Sequence, residues 1–318
     1  MKQKTLPSRS SRVGTSLGNK LNMNKTDIYF LNENYIIEAN NLMQLRNDQL
    51  DAVLFDLRIV NSNKDLIELA LNWSVYIFSE KDIFKQLPLS KLSIPKSAPL
   101  LPVMVLLSGL DDLKSFYKKN NIPDKVLTDT LYDVGRVMDE CYARNNRYVI
   151  EPAIFEWLNM HFTGRLFHLC RLQFEAIKFY EDNDYLKKGD YVINVHIPAG
   201  DKMLHDDVAE SYRQAVVFFR KLLPEYNFKY FICESWMLSP QLSDILDQSS
   251  NLIKFFNDYE LYGTGENDGF FDNIFVKKPT DLNTLPEKTT LQRAIKNLLL
   301  SGEKFISGRG CNLIDKWV

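Results

Sequence analysis

Apolar residues recur at two different periods along this chain, and the change from one to the other divides it. In "KDLIELALNWSVYIF" (64–78), Leu66, Leu69, Ala70 and Trp73 fall three and four positions apart, which gathers them on one face of a helix. "PLLPVMVLLSGLDDLKSFYKK" predicts a second helical stretch, after the proline-rich link at 88–102. "PDKVLTDTLYDVGRVMDECYARN" predicts a third. Pro123 stands where a first helical turn tolerates it, and Val126, Leu127, Leu131, Val134 and Met138 form the buried stripe. Residues 26–148 therefore read as a helical domain.

After residue 160 the period falls to two. "RLFHLCRLQFEAIKFY" alternates as a strand, "EDNDYLKKGD" is a turn, and "YVINVHIP" is a β-branched strand. "DDVAESYRQAVVFFRKLLPEY" is a helix with Val208, Tyr212, Ala215, Val216, Phe219 and Leu223 in register, and "FKYFICESWML" is the next strand. A helix of that length between two strands implies a crossover between parallel neighbours. A short helix from Pro240, an aromatic strand "NLIKFFNDYELY", a hairpin partner "GFFDNIFVKK" and a helix "TTLQRAIKNLLLSG" complete 149–318. The fold class is α+β, a helical N-terminal domain followed by a mixed β-sheet domain with flanking helices.

A chain of 318 residues is long enough for two domains, and 45% hydrophobic with 25% charged residues is an ordinary globular balance. A formal net charge of −2 gives no general attraction to phosphate backbones or anionic lipid, so neither nucleic acid nor a membrane is expected as partner. "APLLPVMVLLSGL" is interrupted by Pro102 and falls short of the roughly 20 residues a membrane span needs. Cys141, Cys170, Cys233 and Cys311 lie far apart with no C-x-x-C pair. They signal neither a zinc site nor disulfides, so no metal is expected and a reducing cytoplasm is the compartment that fits. Residues 1–25 carry no acid before Asp27, a composition a transit peptide shares, but without a clear apolar face they read as a disordered lead-in upstream of a start at Met23.

Several blocks then agree, in order, with one family. "NIPDKVLTDTLYDVGRVM", "FEWLNMHFTGRLFHLCRLQFEAI", "VINVHIPAGDKMLHDDV", "FICESWMLSPQL" and "LPEKTTLQRAIKNLLLSGEKFISGRG" resemble the two-domain bacterial acyltransferase-domain family. Its members join a helical N-acyltransferase-type N-terminal domain to a GNAT-like C-terminal domain, and the likeness runs from about residue 27 to residue 310. The resemblance implies acyl transfer from a CoA or carrier-protein thioester to an amine or hydroxyl of a small-molecule acceptor, with acyl-CoA or acetyl-CoA as co-substrate. It also implies a pyrophosphate held by backbone N–H groups of a glycine loop that opens a helix. That place here reads "IPAGDKMLHDDVAE". Ala199, Gly200 and Lys202 are the candidates for holding the cofactor, but only Gly200 answers to the family's glycines. Asp206 and Asp207, in the first helical turn, would repel a diphosphate. This departure keeps a second reading open, a non-catalytic GNAT-like scaffold that binds a small molecule or a protein.

In a GNAT-type sheet the thioester lies between two splayed strands, and the resemblance puts the ends of "YVINVHIP" and "FICESWML" at that opening. His196 is then a candidate general base, or the activator of Cys233 as an acyl-accepting thiolate. A core histidine and a buried cysteine are the plainer alternatives. Glu234 is a second candidate base, because a carboxylate beside Trp236 would be desolvated and its pKa raised; the alternative is a solvent-facing strand end. Ser235 reads as a cap. With Trp236 it joins the candidate substrate-binding residues.

Strict alternation through 164–176 puts His168 and Cys170 on the core face and Arg171, Gln173 and Glu175 in a polar row on the other. The row either binds an acceptor or carboxylate, or joins the domains, or solvates an open face. "SGRG" (307–310) reads as a surface turn. Tyr259 and Tyr262 are candidates for the phenolic acid that GNAT-like enzymes use, or else core residues.

Overall fold

The computed structural model describes residues 28–80 and 82–318; the lead-in expected at 1–25, with its start at Met23, lies outside them. Two compact units divide between Phe167 and His168.

The first unit is helical: α1 (Glu33–Met43), α2 (Asn47–Ser62), α3 (Lys64–Ser79), α4 (Leu101–Leu107), α5 (Leu110–Lys119), α6 (Asp124–Leu131), α7 (Asp133–Asn145) and α8 (Pro152–Phe162). Asn32 and Asn63 cap α1 and α3, accepting backbone N–H bonds at 2.9 Å from Asn34 and Asp65. Every residue of α4 is buried, so it forms the centre of this unit. Two of the three longest stretches expected as single helices are each broken once. The first breaks at Gly109, where a Cβ would lie 2.1 Å from the Phe78 ring. The second breaks at Tyr132, between α6 and α7.

The second unit carries the sheet, apart from the first two residues of its first strand. Its strands are β1 (Leu166–Leu169), β2 (Leu172–Lys178), β3 (Tyr191–His196), β4 (Tyr230–Ser235), β5 (Glu260–Glu266) and β6 (Ile306–Leu313), in the order β1-β2-β3-β4-β6-β5. β2 and β3 are antiparallel, β3 and β4 parallel across the connecting helix α9 (His205–Leu222), and β6 runs antiparallel to both β4 and β5. The crossover expected from the sequence is present.

α9 covers one face of this sheet. Its Tyr212 packs on Phe174 and Phe231, with ring centroids 6.2 and 5.0 Å away. The opposite face holds Phe179, Leu186, Val192, Ile232 and Cys311. A separate cluster is built by the short helices α10 (Leu242–Ile245) and α11 (Asn251–Asn257), by α12 (Gly269–Phe275) and by α13 (Thr290–Leu300), around Phe270, Phe271, Ile295 and Phe305.

Four expectations are corrected. The stretch 164–176 is a hairpin and not one strand: Cys170 takes a left-handed φ of 60°, and β1 ends there. The turn breaks the alternation, which leaves Cys170 exposed and His168 half-buried instead of in the core. Residues 251–257 form α11, so the aromatic strand begins only at Glu260. "GFFDNIF" is α12, since Phe270, Phe271, Ile274 and Phe275 are spaced to share one helical face. "SGRG" belongs to β6, a strand paired on both sides.

Candidate functional site

The parallel ladder between β3 and β4 pairs Ile193 with Phe231 and Asn194 with Ile232 and stops there. Both strands continue, β3 to His196 and β4 to Ser235, so their ends part. Between these ends lies a pocket of about 340 Å³, walled by His196, Glu234, Ser235, Trp236, the loop from Ile197 to Asp201, and Arg171. That is the small end of the range for ligand cavities, roughly 300–1,000 Å³. Asn267, Phe270 and Asn273 from α12 and its approach, with Ser307 of β6, form a further wall. Reading 269–278 as a strand hid that wall, although its phenylalanines carry a helical spacing.

His196 is half-buried. Its Nε2 lies 3.1 Å from Asn194 Nδ2 and 3.6 Å from Glu175 Oε2. Glu175 is itself buried on β2, where it stands opposite Asn194, and Gln173 stands directly opposite His196. The three residues therefore do not form one continuous row. Gln173 and Glu175 are enclosed beside the histidine, and Arg171 lies in the hairpin turn, out of line with them.

Arg171 braces the loop after β3. Its Nε donates to the Lys202 carbonyl at 3.1 Å and its Nη2 to the Asp201 carbonyl at 2.9 Å. Its backbone N–H donates to Ser211 Oγ at 2.9 Å, and Ser211 donates on to the Asp207 carbonyl at 2.7 Å. One arginine thus ties the hairpin, the loop and the first turns of α9 together.

Ala199 and Gly200 line the pocket, and Gly200 has a φ of 101°, a conformation in which side chains are strained. The Lys202 side chain is exposed, and the residue meets the site only through the carbonyl held by Arg171. Asp206 and Asp207 are exposed in the first turn of α9 and do not wall the pocket.

Cys233 borders the pocket but is buried. Burial, helped by the nearby Glu234 carboxylate, pushes its thiol up to about 12, so the thiolate is not available near neutral pH. Glu234 is exposed, so the desolvation expected beside Trp236 does not occur. Ser235 accepts a 3.1 Å bond from Met237 N–H and caps the turn, as expected. Tyr259 bonds Tyr212 through their hydroxyls at 2.8 Å inside the core. Tyr262 packs on Phe179 and under Arg309, and burial raises both phenols above their ordinary range. Neither lines the pocket. Among the described residues no group of three or more His, Cys, Asp or Glu is placed to hold a metal ion.

With this geometry in view, the chain compares as follows. Residues 36–164 match the N-acyltransferase N-terminal domain, and residues 166–312 match the GNAT-like C-terminal domain. The two in this order define a GNAT-like acyltransferase. The chain belongs to the family that joins these two domains.

Among solved structures, an acyltransferase variant in complex with octanoyl-CoA is similar, with a TM-score of 0.79 at 21% identity over 88% of each chain. An acyltransferase in complex with decanoyl-CoA and teicoplanin has a TM-score of 0.70 at 20% identity over 88% of each chain. At such identities the likeness establishes the fold. No curated protein is similar enough in sequence to count as a relative.

Proposed function

We propose that this protein transfers an acyl group from an acyl-CoA thioester to an amine or hydroxyl of a small-molecule acceptor, in the pocket between the ends of β3 and β4. The observation that carries the reading is His196 at the splayed strand end, in the pocket wall, with the buried Glu175 carboxylate 3.6 Å from its ring. His196 takes the proton of the attacking amine or hydroxyl. The freed electron pair closes on the thioester carbonyl carbon, the C–S bond breaks, and the departing thiolate recovers the proton from the imidazolium. Glu175 stabilises the imidazolium while it exists, as an orienting carboxylate does for a catalytic histidine.

The loop braced by Arg171 supplies the wall for the CoA side. Ala199 and Gly200 let backbone approach the ligand, in place of the family's fuller glycine loop. Trp236, Ser235 and Glu234 stand on the acceptor side. Octanoyl-CoA and decanoyl-CoA in neighbouring structures support an aliphatic donor, and teicoplanin in one of them supports a small-molecule acceptor. Four free cysteines support a reducing cytoplasm as the compartment, the origin being bacterial as in the family. No helix among the described residues is long and apolar enough to cross a membrane.

Release of CoA thiol from octanoyl-CoA and decanoyl-CoA, measured with and without a panel of amine acceptors, tests the reading. Acceptor-dependent release is expected, falling by roughly 10²–10⁴-fold in His196→Ala, the range for a general base. Release that ignores both the acceptor and His196 would overturn it.

A further inference from the structure

Gln173 is fully buried, yet neither its Oε1 nor its Nε2 has a hydrogen-bond partner among the described residues. A buried carboxamide in that state is costly, and an apolar side chain of the same shape would serve packing better. Its position gives it a use. Gln173 is the direct antiparallel partner of His196, so the two side chains leave the same face of the sheet as neighbours. The next residue along that face of β2 is Glu175, already on the imidazole.

We propose that Gln173 is a positioning residue for His196: its carboxamide oxygen accepts a hydrogen bond from the ring N–H that faces away from the pocket, once the pocket-facing nitrogen has taken the acceptor's proton. The inference rests on His196 as the base and adds the group that holds its charged form. A neutral imidazole has one N–H and one acceptor nitrogen; when the pocket-facing nitrogen is protonated the ring becomes charged and its inward N–H a stronger donor. Glu175 and Gln173 then hold the inward side of the charged ring while the pocket-facing N–H stays free to return its proton to the thiolate, after which the Gln173 bond is released. The orphaned amide is the arrangement of the resting enzyme, with its hydrogen bond reserved for the charged step.

The charged groups around the ring are Glu175 on β2 and, in the pocket wall, Arg171, Asp201 and Glu234. All are kept in the test variants. Gln173→Met removes both polar atoms at nearly constant shape, and Gln173→Glu keeps an acceptor oxygen. His196 is followed by imidazole NMR titration, its signals assigned by their loss in His196→Ala from a chain with four histidines. Thermal unfolding and CoA release from octanoyl-CoA are measured alongside.

Gln173→Met is expected to keep or raise the Tm, to lower the His196 titration midpoint by about one unit, a tenfold change in protonation, and to lower kcat by a similar factor with little change in KM. Gln173→Glu is expected to move the midpoint back up. An unmoved midpoint in Gln173→Met overturns the proposal, whatever the rate does. A lower Tm with an unmoved midpoint makes Gln173 a packing residue and overturns it too. A midpoint that moves in Gln173→Met, when the wild-type protein releases no CoA, upholds the Gln173 to His196 bond and overturns the acyl-transfer reading instead.

Discussion

Arg171 Nη2 and the Asp201 carbonyl lie 2.9 Å apart, and the same guanidinium reaches the Lys202 carbonyl through Nε at 3.1 Å. A planar fork suits two successive carbonyls, whereas an ammonium is a single point donor. Arg171→Lys is therefore expected to raise KM for acyl-CoA several-fold while kcat changes little, since it loosens a wall and leaves the base in place. Steady-state kinetics with decanoyl-CoA checks this. A fall in kcat at constant KM would place Arg171 in the chemical step.

The cysteines should sort by environment. Cys170 is exposed in the hairpin turn, while Cys233 is buried with its thiol pushed up to about 12. Iodoacetamide at pH 7.5, followed by peptide mass spectrometry, is expected to label Cys170 within minutes and to leave Cys233 unlabelled until the protein unfolds. Early labelling of Cys233 would revive it as a nucleophile.

What the sequence made legible was whatever local periodicity controls. The stripe of Leu66, Ala70 and Trp73 became the buried face of α3, and His196 and Ser235 stand at the strand ends where the resemblance put them. What escaped depends on contacts distant in sequence or on one backbone angle. Nothing in "LCRL" marks Cys170 as left-handed, so the polar row was read straight through a turn. The role of Arg171 follows from a loop thirty residues on. "FISGRGCNL" has a single β-branched residue, Ile306, and two glycines that answer to neighbours in space, not in sequence.

Gly308 gives that last point a measurable form. A Cβ there would sit 1.9 Å from the Leu238 carbonyl oxygen, a backbone atom that cannot swing aside, whereas at Gly265 on β5 nothing lies within 4 Å. Gly308→Ala is expected to cost on the order of 3 kcal/mol or to prevent folding, and Gly265→Ala less than about 1 kcal/mol, as judged by urea unfolding. Equal costs would mean that the close approach of Leu238 does not hold in solution.

A final prediction concerns the helical unit and the pH at which it is stable. Asp56 on α2 is buried and accepts a 2.7 Å bond from the Leu100 N–H just before α4. Burial raises its pKa from 3.8 to about 6, with the Leu100 bond and Arg147 opposing the rise. Because the folded-state pKa is the higher one, the folded protein holds a proton between about pH 4 and 6 that the unfolded chain has lost. Stability from this group is thus greatest below pH 4 and declines as pH rises through 6, opposite to a carboxylate held in a salt bridge. Asp56→Asn keeps an acceptor for Leu100 and abolishes the titration, so its stability relative to wild type should rise across that window by at most about 3 kcal/mol and then level off. Urea unfolding of both proteins at pH 4, 5, 6 and 7.5 measures the difference directly. A gap that stays constant with pH would remove burial of the charge as the cause and leave only the change in hydrogen bonding.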